Sequence, residues 1–450
     1  MVRDLDALSV RRFLAWLREP LPAPPVALRR GPFQDGVFRS GVRSPRLTSQ
    51  VGVALGVAFG VCFATGLLSH LIQHPPGWFW WPSRPAGLYR VTQGLHVATG
   101  LASVPLLGVK LWSVYPRLFA WPPARDPAQA IERLGIAALV AGSLFQVVSG
   151  VLNLARWYTP MPFFYTAAHF WMAWLAIGGL LAHIGVKLPV IREALTRSSA
   201  AAPPQTAAEA APPETASSGA ASPEEAEQLC SPAGSTPPGG RAVSRRELLG
   251  ATAAAAGLIT VATVGQTVAP LAPVSLLAPR RPGDGPQRLP VNKTAAAAGV
   301  RDVALDPGYR LAVTGPAARA DLSREDLLAM PQHSVVLPIA CVEGWSSTAT
   351  WTGVRLRDLA ALVADDPGSA EIESLQQGGR YRISEVAHPH LNDPWTLIAL
   401  SVNGGPLHLD HGYPARLIAP NRPGVMQTKW VAAIRVRAAR MKEPQARPRR

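Results

Sequence analysis

The chain has 450 residues, of which 48% are hydrophobic and only 16% charged, with 45 Pro and 39 Gly. An ordinary soluble domain carries about 25% charged residues, so this balance argues against a single soluble globular enzyme, and the length suits two or three units. The net charge of +15 does not imply a nucleic-acid partner, because nine arginines and no lysine occupy the first 46 residues and many other basic residues edge apolar runs, as membrane flanks do.

Residues 1–48 read as a basic cytoplasmic segment. A four-helix transmembrane bundle is expected over 49–190, from apolar runs at roughly Val51–Leu71, Leu88–Val109, Leu134–Leu154 and Phe163–Leu188. Each run reaches the ~20 residues that cross ~30 Å of hydrocarbon as a helix. The arginine-containing stretch ahead of the first run is too long for a cleavable signal peptide. Arg39, Arg43 and Arg46 precede the first run, Lys110, Arg117 and Arg125 fill the second loop, and Lys187, Arg192 and Arg197 follow the fourth run. The other two loops hold only Arg84, Arg90 and Arg156. The positive-inside bias therefore places the N-terminus and both ends of the bundle in the cytoplasm. The outer loops carry Trp78, Phe79, Trp80 and Trp81, then Trp157, Tyr158, Phe163 and Phe164, which suit an interfacial aromatic belt.

Histidines within apolar helices need a reason. His70 and His74 end the first run, His96 lies in the second, and His169 and His183 lie in the fourth. A spacing of 14 residues returns His183 to within ~40° of His169 at ~21 Å further along the helix. Two ligands on one face, one per leaflet, resemble the bacterial di-haem b-type cytochromes that form the membrane subunits of formate dehydrogenases and hydrogenases. The resemblance implies that His96 and His169 ligate an outer haem b. The family's inner haem takes a histidine from the cytoplasmic half of the first helix, and none occurs between Gln50 and Phe63. One haem at most is expected, and His183 is left without a partner. Cys62, among Val, Phe and Ala, reads as a buried apolar thiol.

Residues 198–240 are Ala, Pro, Ser, Thr and Glu with almost no large apolar side chain, the composition of a disordered cytoplasmic linker. Cys230 falls inside it. Residues 241–278 then hold Val243-Ser244-Arg245-Arg246-Glu247-Leu248-Leu249 and a weakly hydrophobic stretch from Gly250 to about Leu277. This resembles a twin-arginine export signal leading a fifth transmembrane helix. The resemblance implies two partners, the general membrane-insertion machinery for the bundle and the twin-arginine translocase for a folded domain beyond residue 280.

Residues 285–440 have another texture, with short alternating runs at Tyr309–Val313, Ser334–Ile339 and Thr396–Val402 and a turn at Asn403-Gly404. Short helices are expected at Arg324–Met330 and Leu356–Val363, giving an α+β, strand-rich domain. Cys341 follows a strand within Ile339-Ala340-Cys341-Val342-Glu343-Gly344-Trp345. Arg416 and Lys429 lie near turns in a second segment. A lone thiolate with cations suits a metal cofactor that bears a phosphate, although a buried structural cysteine beside a strand pair fits the same residues.

These runs, with Trp351–Leu359, His411–Leu417 and Gln427–Trp430, resemble the sulfite-oxidase-type molybdopterin domain. The Cys-Val-Glu-Gly-Trp run is most similar to its exported bacterial methionine-sulfoxide-reductase branch. The resemblance implies that Cys341 is the catalytic residue and ligates molybdenum. It further implies that Asn292, Ser374, His411, Arg416, Gln427, Thr428 and Lys429 bind the molybdopterin. Sulfite oxidases place an arginine just after the ligand cysteine, whereas Trp345, Ser346 and Ser347 follow here, which argues against sulfite as substrate. The expected protein is a multi-pass enzyme of the cytoplasmic membrane with its catalytic domain outside. It would transfer an oxygen atom on a small-molecule substrate and exchange electrons with the quinone pool or another membrane redox partner. The alternative is a haem-free anchor presenting a non-catalytic binding module.

Overall fold

The structure, a computed structural model, describes residues 11–34, 38, 40, 42–196 and 243–439. The linker 198–240 with Cys230, together with Arg39 and Arg197, lies outside the described residues. Among the described residues, five helices are long and apolar enough to cross a membrane: α1 (Pro45–Gln73), α2 (Leu88–Val114), α3 (Pro127–Ala155), α4 (Tyr165–Thr196) and α5 (Arg245–Val264). Their starts follow helix-capping chemistry. The Ser44 hydroxyl accepts from the Leu47 N–H at 3.2 Å ahead of Pro45, and the Asp126 carboxylate accepts from the Gln129 N–H at 2.8 Å ahead of Pro127. The first four helices close a ring, α1 against α2 and α4, and α3 against α2 and α4, while α5 packs outside on α2.

The fifth helix is shorter than its apolar composition suggests. It stops at Val264, and the chain folds back through a 3-10 turn at Ala269–Val274 that contains Pro270 and Pro273. A Cβ on Gly265 would lie 2.2 Å from Ser275 Oγ and 2.5 Å from the Leu271 carbonyl, so this reversal requires glycine. The Leu277 N–H returns to the Ala262 carbonyl at 2.7 Å. Apolar content alone could not separate a helix from this compact turn.

The C-terminal domain is strand-rich as expected. One sheet runs β2 (Arg319–Leu322), β1 (Leu311–Thr314), β10 (Val431–Ala438), β5 (Pro367–Ser374), β6 (Ile383–Ala387). The other runs β3 (His333–Ala340), β4 (Ser346–Arg355), β7 (Leu397–Val402), β8 (Gly405–Pro406), with β9 (Arg416–Ile418) also on β7. Asn403 and Gly404 take φ of 49° and 84° in the two-residue turn that pairs Val402 with Gly405. The expected short helices form at Arg324–Ala329 and Leu356–Ala361. The main core lies between the sheets, with Leu311, Ile372 and Ile434 from one facing Val354, Ile398 and Leu417 from the other. A second cluster on the far face of the β3–β4–β7 sheet includes Leu337, Trp345, Trp351 and Cys341.

Candidate active site

Cys341 stands one residue past β3, in a tight loop. Its N–H donates to the Trp345 carbonyl at 2.8 Å, and the Gly344 N–H donates to its carbonyl at 3.0 Å. The thiol is 1% exposed. Burial pushes its pKa well up, with the Glu343 carboxylate adding to that rise, while Lys429 and Arg156 pull the other way. Such a cysteine is an inert thiol until a cation takes the place of its proton.

Beside it, Asn292, Pro290, Ile339, Trp345, Arg416 and Gly424 line a small cavity. Arg416 opens β9 and is 2% exposed. One terminal N–H of its guanidinium donates to the His411 carbonyl at 3.1 Å, while its buried Nε has no partner. Burial draws its pKa down to about 9. Lys429 Nζ donates to the Lys293 and Asp410 carbonyls, each at 2.8 Å. Its pKa is pulled far below the ordinary lysine range by burial, then by Arg416. His411 hydrogen-bonds the Pro286 carbonyl through Nε2 at 2.7 Å, and burial lowers its pKa to about 4. It is therefore neutral at pH 7.

Neither Arg416 nor Lys429 has a carboxylate within ion-pair distance among the described residues. Two adjacent buried cations without an acid, one with an orphaned N–H, are costly alone and suit a phosphate-bearing ligand. The buried thiol suits a metal on the same ligand. These residues fit a metal-dithiolene cofactor with a phosphate. The remaining expected contacts lie a step away. Ser374 Oγ donates to the Lys429 carbonyl at 2.8 Å, Thr428 shares a 2.7 Å hydrogen bond with Ser384, and Gln427 donates to the Arg422 carbonyl at 3.2 Å. These three spend their polar atoms bracing the segment that carries Lys429.

The cysteine loop also touches the bundle. Asn153 Nδ2 donates to the Val342 carbonyl at 3.2 Å, and Thr267 Oγ1 donates to the Gly344 carbonyl at 2.6 Å. Glu343 pairs with Arg156 at 3.4 Å and Arg280 at 3.5 Å and accepts from Trp345 Nε1 at 3.0 Å. Ser346, which follows the loop, receives no role toward substrate. Its N–H donates to the Gln266 carbonyl at 2.8 Å and its hydroxyl to the Thr267 carbonyl at 3.3 Å. Asn421 fastens a third point. It exchanges hydrogen bonds with Trp81, Pro82, Ala86 and Tyr89, between 2.6 and 3.0 Å. The outer aromatics thus divide. Trp78 and Trp80 are exposed, as a belt requires, but Phe79 and Trp81 pack with Ile72, Tyr89, Ala340 and Met426 against the domain. Nothing in their spacing marks this split, because the domain partners Ala340 and Met426 lie far along the chain.

Within the helices lies a cavity of about 490 Å³. It holds His96 and His169, and Val342, Glu343 and Arg380 of the C-terminal domain also line it. The His96 and His169 ring centroids are 6.4 Å apart. The His96 Nδ1 meets the Cys62 carbonyl at 2.8 Å, and the His169 Nδ1 meets the Ser149 hydroxyl at 3.0 Å. His169 therefore keeps Nε2 for another partner, whereas Cys62 Sγ lies 3.9 Å from His96 Nε2. Cys62 is more than apolar filling, since its Sγ lies 3.5 Å from His96 Nδ1 and lines the cavity. His70 and His74 line the same cavity, whereas His183 does not.

Residues 298–445 match the family model of the oxidoreductase molybdopterin binding domain. The chain is 31% identical over 163 residues to the mitochondrial sulfite oxidase of Rattus norvegicus, covering 29% of this chain and 30% of the rat protein. It is 29% identical over 164 residues to the protein-methionine-sulfoxide reductase catalytic subunit MsrP of Xanthomonas campestris, covering 32% of this chain and 49% of that one. A protein of Azospira oryzae named as a protein-methionine-sulfoxide reductase subunit, YedZ1, is 28% identical over 130 residues, covering 28% of this chain and 48% of the other. The chain thus spans from about a third to a half of the length of these relatives. Taken with the cavity that gathers Cys341, Asn292 and Arg416, the match makes the C-terminal domain of this chain a member of the molybdopterin-binding oxidoreductase family.

Proposed function

We propose that the chain is a membrane-anchored molybdenum oxidoreductase. It moves an oxygen atom to or from a small substrate outside the cytoplasmic membrane and exchanges electrons with the quinone pool through one b-type haem. The observation that carries this reading is the shared cavity: Val342 and Glu343, next to Cys341, line the space that His96 and His169 enter. When bound, molybdopterin supplies two-electron oxygen-atom transfer and haem supplies one-electron exchange.

The chain's own residues do the rest. Cys341 holds the molybdenum. Arg416 and Lys429 neutralise the phosphate, Asn292 and the neutral His411 hold the pterin, and Ser374, Gln427 and Thr428 keep Lys429 in place. Trp345, Ile339 and Pro290 form an apolar wall that limits water around the thiolate. His96 and His169 hold the haem, each oriented through its Nδ1 hydrogen bond.

The outer location is supported by which helix ends touch the domain. These contacts involve Gln73, Ala86, Asn153 and Gln266, at the end away from Arg43, Arg117 and Lys187. The positive-inside rule puts that end outside.

Molybdenum and haem analysis of the detergent-extracted full chain tests the reading. A b-type spectrum reducible by a quinol analogue is expected, lost in His96→Ala and His169→Ala and kept in His183→Ala. Protein that is both colourless and free of molybdenum, from cells making both cofactors, supports the plain anchor with a non-catalytic module instead.

A further inference from the structure

We infer that Arg380, contributed by the catalytic domain, anchors the carboxylates of the haem held between His96 and His169, so that bundle and domain bind the haem jointly. This rests on the haem reading above and deepens it. A haem b carries two propionate carboxylates, and a carboxylate at an apolar membrane cavity is costly unless it meets a cation. Among the described residues, Arg380 is the sole arginine or lysine lining the cavity. It has no acidic partner among the described residues. Glu343, the other charged lining residue, is already paired with Arg156 and Arg280.

The side chain is held at the cavity mouth. Its guanidinium donates to His74 Nε2 at 2.7 Å and lies 5.0 Å from the centroid of the Phe164 ring. His74 Nδ1 meets the His70 carbonyl at 3.3 Å. The imidazole therefore accepts from Arg380 as a neutral ring. His70 is sandwiched between His74 and Phe170, with centroids 4.6 and 3.7 Å away. Next to Arg380, the Tyr381 hydroxyl donates to Gln73 Oε1 at 2.9 Å, pinning this β5–β6 loop to the end of α1. The two outer histidines thus have a positioning role: they aim a cation from the domain at the cavity.

The test is haem transfer from the full-length protein in detergent to excess apomyoglobin. A charge-assisted hydrogen bond contributes about 1.5–3 kcal/mol, so Arg380→Gln should release haem roughly tenfold faster or more, with its bis-histidine spectrum retained. Arg380→Lys should restore slow release, because it keeps the charge. Arg382→Gln, on the same loop but paired with Glu373, should match wild type. His74→Gln should give an intermediate rate and decides the matter if Arg380→Gln fails to fold. Equal release rates for wild type, Arg380→Gln and His74→Gln overturn the proposal and leave the haem reading standing. Arg380→Gln that changes only retained phospholipid, with haem release unchanged, also overturns it. Colourless wild-type protein overturns both.

Discussion

Leu154 of α3 occupies the space that a side chain on Gly344 would need: a Cβ there would lie 2.9 Å from Leu154 Cδ1 and the same distance from Val97 Cγ2. Gly344 also holds φ at 90°. It is the point at which the Cys341 loop meets the bundle. Gly344→Ala should cost about 1–3 kcal/mol from positive φ and overpacking combined. A lowered thermal midpoint of the full chain measures the cost. Leu154→Ala in the same chain relieves the contact but not the φ, so it should recover only part. An unshifted midpoint in Gly344→Ala would mean that loop and bundle are not in contact.

Cys341→Ser is expected to loosen molybdenum and abolish activity while most of the pterin stays bound. The thiol is the sole soft donor among the described residues lining this cavity, and on the proposed reading Arg416, Lys429 and His411 would hold the pterin without it. Metal and pterin assayed separately on the purified variant check this. Equal loss of both would mean that the phosphate grip of Arg416 and Lys429 contributes little.

The pH dependence of the domain should follow its buried neutral histidines. His390 is 5% exposed, its Nε2 has no partner, and its pKa is drawn down to about 3 by burial and then by Arg422. The unfolded chain takes up a proton near pH 6.5 that the folded site refuses. Stability from this group is therefore full above about pH 6.5 and falls below it, on the order of 1.4 kcal/mol per pH unit until the folded pKa is reached. His411, with its pKa lowered to about 4, adds a term of the same sign. His390→Gln should flatten the fall in thermal midpoint between pH 6.5 and 4. An equally steep fall in the variant would exclude His390 as its cause.

The four-helix bundle and the cysteine loop were legible in the sequence for different reasons. Apolar runs long enough to span a membrane have few other folds open to them, so Pro45–Gln73 and its neighbours followed from length alone. Cys341 stood out as a lone thiol in a local motif. Asn421 had no such signal. It takes a positive φ of 56° and makes four hydrogen bonds to a loop over 330 residues earlier in the chain. Arg84 is similar. It grips both oxygens of Asp393 at 3.1 Å and stacks on Trp395, yet read in sequence as an outer-loop charge. Such docking contacts depend on how two separately folded units meet, and no periodicity encodes that.

The paired arginines at the head of α5 carry two accounts at once. Ser244 and Glu247 form a reciprocal cap, with the Ser244 hydroxyl accepting from the Glu247 N–H at 3.2 Å and Glu247 Oε2 from the Ser244 N–H at 2.7 Å. Neither bond uses an arginine side chain, so capping and export can be separated. Ser244→Ala with Glu247→Ala should weaken the helix start by about 1 kcal/mol and leave export unchanged. Arg245→Lys with Arg246→Lys keeps the cap and the positive charge, so the orienting term for α5 is nearly unchanged. It removes only the paired guanidinium groups. If these are read by a translocase for folded proteins, the double lysine variant should keep α1–α4 inserted and strand the domain beyond Leu277 in the cytoplasm. A cofactor held as proposed at Cys341 and Arg416 would need a folded domain to cross. Protease access in spheroplasts checks this. Cleavage of the lysine variant from outside as readily as wild type would make α5 an ordinary membrane helix whose Ser-Arg-Arg-Glu run serves only as a cap.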